Sequence, residues 1–219
     1  MSAMTPENYQ LMVHSPVRQW LVGQLDDLLF TGDVPGKILL SSNAKLFTAL
    51  TDLTSSSPGY GGSMPTFTCC GDFVRKVWRE TWRVGGKTPP ADYPAPNFYL
   101  MEKRLMTWDM KAKKNVDLGK DNGLYPFTYN LAKDSAGPEP GDIYVTGTPH
   151  IGFIRQFMWD GDTPMIESYD GGLTNANDGI QFSKKHAINK ANFRGWLDMD
   201  AALGGDWVAT GTPSWAGLK

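Results

Sequence analysis

Only five residues of this 219-residue chain can serve as thiol or imidazole, and two of the five are neighbours: Cys69 and Cys70, with His14, His150 and His186. A thiol that loses its proton is a nucleophile, and an imidazole near it is the usual base. Adjacent cysteines cannot staple a fold, because a bond between them would be strained and would close almost no loop. No CxxC pair and no Cys–His spacing of the zinc-ribbon kind occurs, so structural zinc is not expected. The chemistry these residues point to is acyl transfer through a thiolate, with no metal and no cofactor.

Context separates the candidates. The segment TFTCCGDFVRKVWRETW predicts a helix beginning between Thr68 and Cys70 and ending near Val84, where Gly85-Gly86 follows. A thiol in its first turn meets unpaired N–H groups and the positive end of the helix dipole, which favour the thiolate. Cys70 lies three and four residues before Phe73 and Val74, on the apolar side of the helix. The competing reading is a small buried hydrophobe. His150 directly precedes the β-patterned run IGFIRQFMW, at the end of the turn Gly147 to Pro149. Gly152 leaves space two residues on, on the same sheet face. His14 and His186 have no comparable context and read as structural or solvated. The next strand, PMIESYDGG, offers Glu167 to orient the histidine, with Asp170 as the fallback and a solvent-facing carboxylate as the competing reading.

The elements that must position these groups are helices first and strands second. Pro16 to Phe30 has apolar residues at three-and-four spacing, and Asn43 suits the cap of a short helix carrying Leu46, Phe47 and Leu50. Ser55 to Pro65 is a glycine-rich loop, Lys87 to Pro96 a proline-rich connection, and Asn97 to Met110 a further helical stretch. After Pro138 come five short segments rich in β-branched and aromatic residues: GDIYVTG, HIGFIRQFMW, PMIESYDGG, GIQFSKKHA and FRGWLDM. This order predicts an α+β fold, with helices packed on an antiparallel sheet of about five strands.

Composition narrows the function classes. Twenty-one basic and 23 acidic residues give a net charge of −2, which argues against a broad nucleic-acid or anionic-membrane face. No run approaches the roughly 20 apolar residues of a membrane span. The first 14 residues lack the basic and apolar regions of a secretory signal, so synthesis in the cytoplasm without a signal peptide is expected. No linker divides the chain. The expected organisation is a single domain, 1–219. It comprises an N-terminal helical segment with the glycine-rich loop (1–65), a core (66–199) with an insertion at about 87–136, and a tail (200–219).

The order of these fragments resembles that of the NlpC-type and CHAP-type papain-like cysteine peptidases and amidases that cut bacterial peptidoglycan. Cys70-Gly71-Asp72-Phe73-Val74 stands where NlpC-type enzymes carry a C-S-G-F-V-like signature, and that register selects Cys70 over Cys69. Pro140-Gly141-Asp142-Ile143 resembles the family's P-G-D-hydrophobic strand, and His150-Ile151-Gly152-Phe153-Ile154 its H-V-G-I segment. Met165-Ile166-Glu167 lies where the family has its third polar residue. The likeness spans roughly Thr66 to Met199. Asp72 departs from the signature by placing a carboxylate where the family has a small or apolar residue.

The resemblance implies a papain-like fold and a hydrolase, amidase or endopeptidase, acting on peptidoglycan or its stem peptides. Cys70 would be the nucleophile, His150 the base and Glu167 its orienting group, with the Cys70 backbone N–H meeting the oxyanion. Tyr60 is a candidate for the second oxyanion donor or for substrate contact, against a loop aromatic packed on the surface. Tyr169 and Trp159 are candidates for the cleft lining, against ordinary aromatic packing. The resemblance further implies an antibacterial effector delivered to the periplasm or cell wall of a target bacterium, with a cognate immunity protein as partner. Two alternatives stand beside it. One is a cysteine-dependent protein-modifying enzyme (deamidase, transglutaminase or acyltransferase). The other is a non-catalytic binding module built on eight tryptophans and eight tyrosines.

Overall fold

A computed structural model describes residues 15–57, 69–89, 124–126, 137–147, 150–172, 179–189 and 192–218. The first helix, α1 (Pro16–Leu29), is capped by Ser15, whose side chain accepts from the Arg18 N–H, and Pro16 occupies its first turn. Its buried residues Val17, Leu21, Val22, Leu25 and Leu29 follow the helical period. A short antiparallel ribbon follows, β1 (Phe30–Thr31) with β2 (Val34–Pro35), and then β3 (Lys37–Leu39). Helix α2 (Ala44–Thr51) starts at the Asn43 cap and stops at Asp52, which adopts φ 63°. Helix α3 (Cys69–Val84) ends where Gly86 turns to φ 67°. The remaining elements are β4 (Leu124–Pro126), β5 (Ile143–Val145), β6 (Ile151–Asp160), β7 (Thr163–Gly171), β8 (Gly179–Ala187), β9 (Gly195–Leu197) and α4 (Met199–Leu203).

The fold is α+β, as expected. All five segments read as strands after Pro138 are strands, β5 to β9. The main sheet has seven strands, in the order β3-β8-β7-β6-β5-β9-β4, and every pairing is antiparallel. The expectation of about five is corrected by two three-residue edge strands. One is β3, from the N-terminal segment expected to be helical, pairing with β8. The other is β4, from within the expected insertion, pairing with β9. Three residues are too few to show an alternation, so tertiary pairing decides them. The expected helix at 97–110, the glycine-rich loop beyond Ser57 and the rest of the insertion lie outside the described residues.

Strand alternation gives the sheet two different faces. One carries Ile143, Ile151, Phe153, Tyr169 and Ile180 against Leu21, Phe47, Phe73 and Val77 of the helices. The other carries Tyr144, Ile154, Ile166 and Trp196, covered by Ile188 and Phe193. The C-terminal tail is part of the main core. Trp207 and Trp215 are buried, Trp20 packs on both rings, and Trp207 Nε1 donates to the Thr81 carbonyl at 3.0 Å. Gly85 makes this possible, because a Cβ there would lie 2.2 Å from Trp207 Nε1. Among the described residues no helix is long and apolar enough to cross a membrane.

One buried cation ties the layers together. Arg18 of α1 is 1% exposed. Its guanidinium meets Asp142 at 2.6 Å, Asp198 at 2.7 Å and Asp200 at 2.7 Å, and donates to the Pro140 carbonyl at 2.9 Å. Asp142 also accepts from the backbone N–H of Glu139 and of Met199. Burial pushes the Asp142 carboxyl up to about 7, against the pull of Arg18. The cluster anchors α1 to the entry of β5 and to the cap of α4. Replacing the cation strands a buried carboxylate, so Arg18→Met is expected to cost about 3 kcal/mol or more, read by chemical denaturation. A loss below about 1 kcal/mol would contradict this role.

Candidate active site

Helix α3 brings both cysteines to the sheet, and the two then differ. Cys69 is buried at 1% exposure, and its thiol contacts the Gly179 carbonyl at 3.5 Å. Its backbone rests on Gly171 of β7, where a Cβ would stand 2.7 Å from the Cys69 carbonyl oxygen. That bare glycine lets the helix start approach the strand closely. Cys70 is partly exposed, at the first turn, and lies beside His150, close enough to act on the charge of its ring. Asp72, the departure from the signature, is buried and paired with Arg75 one turn along.

His150 stands at the residue before β6, and its carbonyl accepts from the Thr146 N–H across the turn from β5. Its Nε2 lies 2.8 Å from Asp170 Oδ1. With Nε2 committed there, Nδ1 is the ring nitrogen left for Cys70. The Asp170 side chain is fully buried. Oδ1 also accepts from the Tyr144 hydroxyl at 2.5 Å, and Oδ2 accepts from Ser168 Oγ at 2.6 Å. Gly152 leaves the space the carboxylate fills, since a Cβ there would come within 2.3 Å of Oδ1.

The electrostatics follow from these contacts. Burial opposes a charged ring at His150, but the hydrogen bond to Asp170 and the neighbouring Cys70 outweigh it and lift the pKa to about 10. Burial likewise pushes Asp170 up, yet His150, Ser168 and Ser183 together hold it below its ordinary value. At neutral pH the arrangement is an imidazolium held by a buried carboxylate, with Cys70 beside it.

The structure corrects the expected third residue. Glu167 does not meet His150; it pairs with Arg155 Nη1 at 2.9 Å. Arg155 also contacts Asp26 of α1 at 2.8 Å and lies over the rings of Phe30 and Phe182. The cause is register. The turn at Gly161 sets Asp160 opposite Thr163, which places Glu167 opposite Gln156, far down β6 from His150. A bulge between Ile154 and Gln156 then shifts the pairing so that Asp170 faces Gly152. Without that extra residue Asp170 would face Phe153, and the alternation of β6 would turn Gly152 to the helix-covered side.

Two expected cleft residues are also corrected. Tyr169 is fully buried in the core beneath the helices, its hydroxyl donating to Asp26 at 2.7 Å. Trp159 sits near the far end of β6, opposite Pro164 and packed edge-on against Phe157. Tyr60 and His14 lie outside the described residues, and His186 is on β8 with Nδ1 near the Lys184 carbonyl. Tyr144 and Ser168 were not foreseen. Among the described residues no group of three or more His, Cys, Asp or Glu side chains is placed to hold a metal ion. Comparison of the chain with protein-family models, with curated proteins and with solved structures finds no match.

The pair has a pH signature. His150 titrates higher in the fold than its ordinary 6.5, so its proton stabilises the fold fully below about pH 6.5. That contribution fades as pH rises toward 10. Wild-type thermal stability should therefore decline across this window by more than that of Asp170→Asn, in which the anchor is gone. Glu167→Gln should keep the wild-type decline. Equal slopes for wild type and Asp170→Asn would refute the assignment.

Proposed function

We propose that the protein is a cysteine hydrolase that cuts an amide or peptide bond in the peptide stem of bacterial peptidoglycan, with Cys70, His150 and Asp170 as its reacting triad. The observation that carries the reading is the pairing itself. A partly exposed cysteine at a helix start lies beside a histidine, one of whose ring nitrogens is held by a buried carboxylate. A histidine oriented in this way is the recurring device for activating a nucleophile and for returning its proton. A binding module would have no need of it. The choice of substrate rests on the likeness of the Cys70–Val74, Pro140–Ile143 and His150–Ile154 segments to NlpC-type enzymes. The finer papain-like assignment of the fold belongs to the same reading.

The chemistry runs in two halves. Cys70 reacts as the thiolate, its proton held by His150; sulfur attacks the carbonyl carbon, and the oxyanion that forms meets the Cys70 backbone N–H at the helix start. The C–N bond breaks as His150 gives its proton to the leaving amine, which leaves a thioester on Cys70. Water then attacks the thioester, losing a proton to His150; the C–S bond breaks, the carboxylic acid is released, and the thiolate stands again beside protonated His150. Asp170 holds the ring throughout and does not itself react. Delivery to a target cell and a cognate immunity protein belong to the same proposal.

Purified peptidoglycan is the direct test. Wild type should release fragments with new amine termini, identified by mass spectrometry, and Cys70→Ala should reduce release at least 1000-fold, whereas Cys69→Ala should retain most of it. Fragment masses separate amidase from endopeptidase cleavage. No release by folded wild type would overturn the cell-wall reading. If Cys70 still reacted covalently with amide-derived electrophiles, the protein-modifying alternative would take its place.

A further inference from the structure

We propose that Tyr144 is a positioning residue of this site, whose hydroxyl shares Asp170 Oδ1 with His150 Nε2 and so fixes the direction in which the carboxylate presents itself to the ring. The inference rests on the reading of Cys70, His150 and Asp170 as the reacting group, and it adds a fourth member from a different strand. Tyr144 is 2% exposed, and its ring is stacked on Phe193 at 5.9 Å and set edgewise to His150 at 6.0 Å. Phenylalanine would serve all of that packing. The hydroxyl is the part packing does not need, and burying it is unfavourable unless it is paired. It reaches Asp170 Oδ1, with Ser168 Oγ at 3.5 Å as a second neighbour.

Three donors thus converge on one buried carboxylate: His150 Nε2 and Tyr144 on Oδ1, and Ser168 on Oδ2. A carboxylate with one donor can swing about its Cα–Cβ and Cβ–Cγ bonds; with three in fixed directions it cannot. Burial and the Asp170 charge both push the Tyr144 phenol well above its ordinary pKa, so it remains a donor through the working range. The groups that face the pair are Cys70 from α3, Tyr144 from β5, Ser168 from β7 and Ser183 from β8. Cys70 and Tyr144 are the titratable ones among them. Sharing has a direction. Each further donor withdraws charge from Asp170 and weakens its hold on the imidazolium.

Tyr144→Phe removes one donor and leaves the ring in place. Proton–nitrogen spectra of the histidine side chains, with His150 assigned by its loss in His150→Ala, report the outcome without any substrate. The expected result is a downfield move of the His150 Nε2–H resonance and a rise of about half a pH unit in the ring's titration midpoint. Ser168→Ala should shift both the same way through Oδ2, and it stands in if Tyr144→Phe does not fold. A variant that melts earlier yet leaves resonance and midpoint at their wild-type values would overturn the proposal and reduce Tyr144 to packing. An unshared His150–Asp170 signal in wild type would overturn it as well. Neither result depends on whether peptidoglycan is cut, so failure of the hydrolase reading registers separately.

Discussion

One extra residue in β6 decides which carboxylate meets His150. The β6–β7 hairpin is set by its turn at Gly161, and regular pairing from that turn would set Asp170 opposite Phe153 and turn Gly152 to the helix-covered side of the sheet. The bulge at Arg155 shifts the register by one and turns the β6 residues beyond it to the other face, so that Gly152 comes opposite Asp170. The same bulge sends Arg155 toward the helices, where it pairs with Asp26 and Glu167 and lies over Phe30 and Phe182. A single irregularity therefore serves both layers. It gives the charged bulge residue partners on one side and delivers a buried carboxylate to the histidine on the other.

A buried carboxylate is unfavourable unless its lone pairs are filled, and the neighbourhood of Asp170 meets that demand from several strands. Space for it comes from residues that are absent. Gly152 has no side chain where the carboxylate lies, and Gly171 has none where Cys69 and the start of α3 press on β7. These two glycines bring helix, histidine and carboxylate within reach of one another. Cys69 is the packing half of the adjacent pair, and its burial against Gly171 and Gly179 leaves Cys70 turned to His150. The Arg18 cluster supports the same region from below, since it fixes the entry to β5, the strand that carries Tyr144.

Much of this was legible in the residues. The strands after Pro138 announce themselves by β-branched and aromatic runs between Gly, Asp and Pro, and the first two helices by Ser15-Pro16 and Asn43. The start of α3 within one residue of Cys70, and the placing of His150 before β6, follow from the same local signals. What was not legible depends on register and tertiary contact. The Asp160-Gly161 turn does contain the information that separates Glu167 from His150, because a two-residue hairpin fixes every pair behind it. The bulge that follows has no such local mark, and it alone brings Asp170 to the histidine. Tyr144 alternates normally within its strand, and only the pairing with Gly152 shows its relation to Asp170. Tyr169 and Trp159 are aromatic residues near the right motifs, but one faces the helices and the other lies beyond the bulge. Strands β3 and β4 are too short to carry a pattern.

The site depends on Cys70, and not its neighbour, being the activated cysteine of the folded protein. Peptide-mapped alkylation by iodoacetamide under native conditions at neutral pH measures this directly. Rapid modification confined to Cys70 is expected, slowed about tenfold or more in His150→Ala, with Cys69 protected until the protein is unfolded. Equal labelling of both cysteines, or protection of both until unfolding, would contradict it.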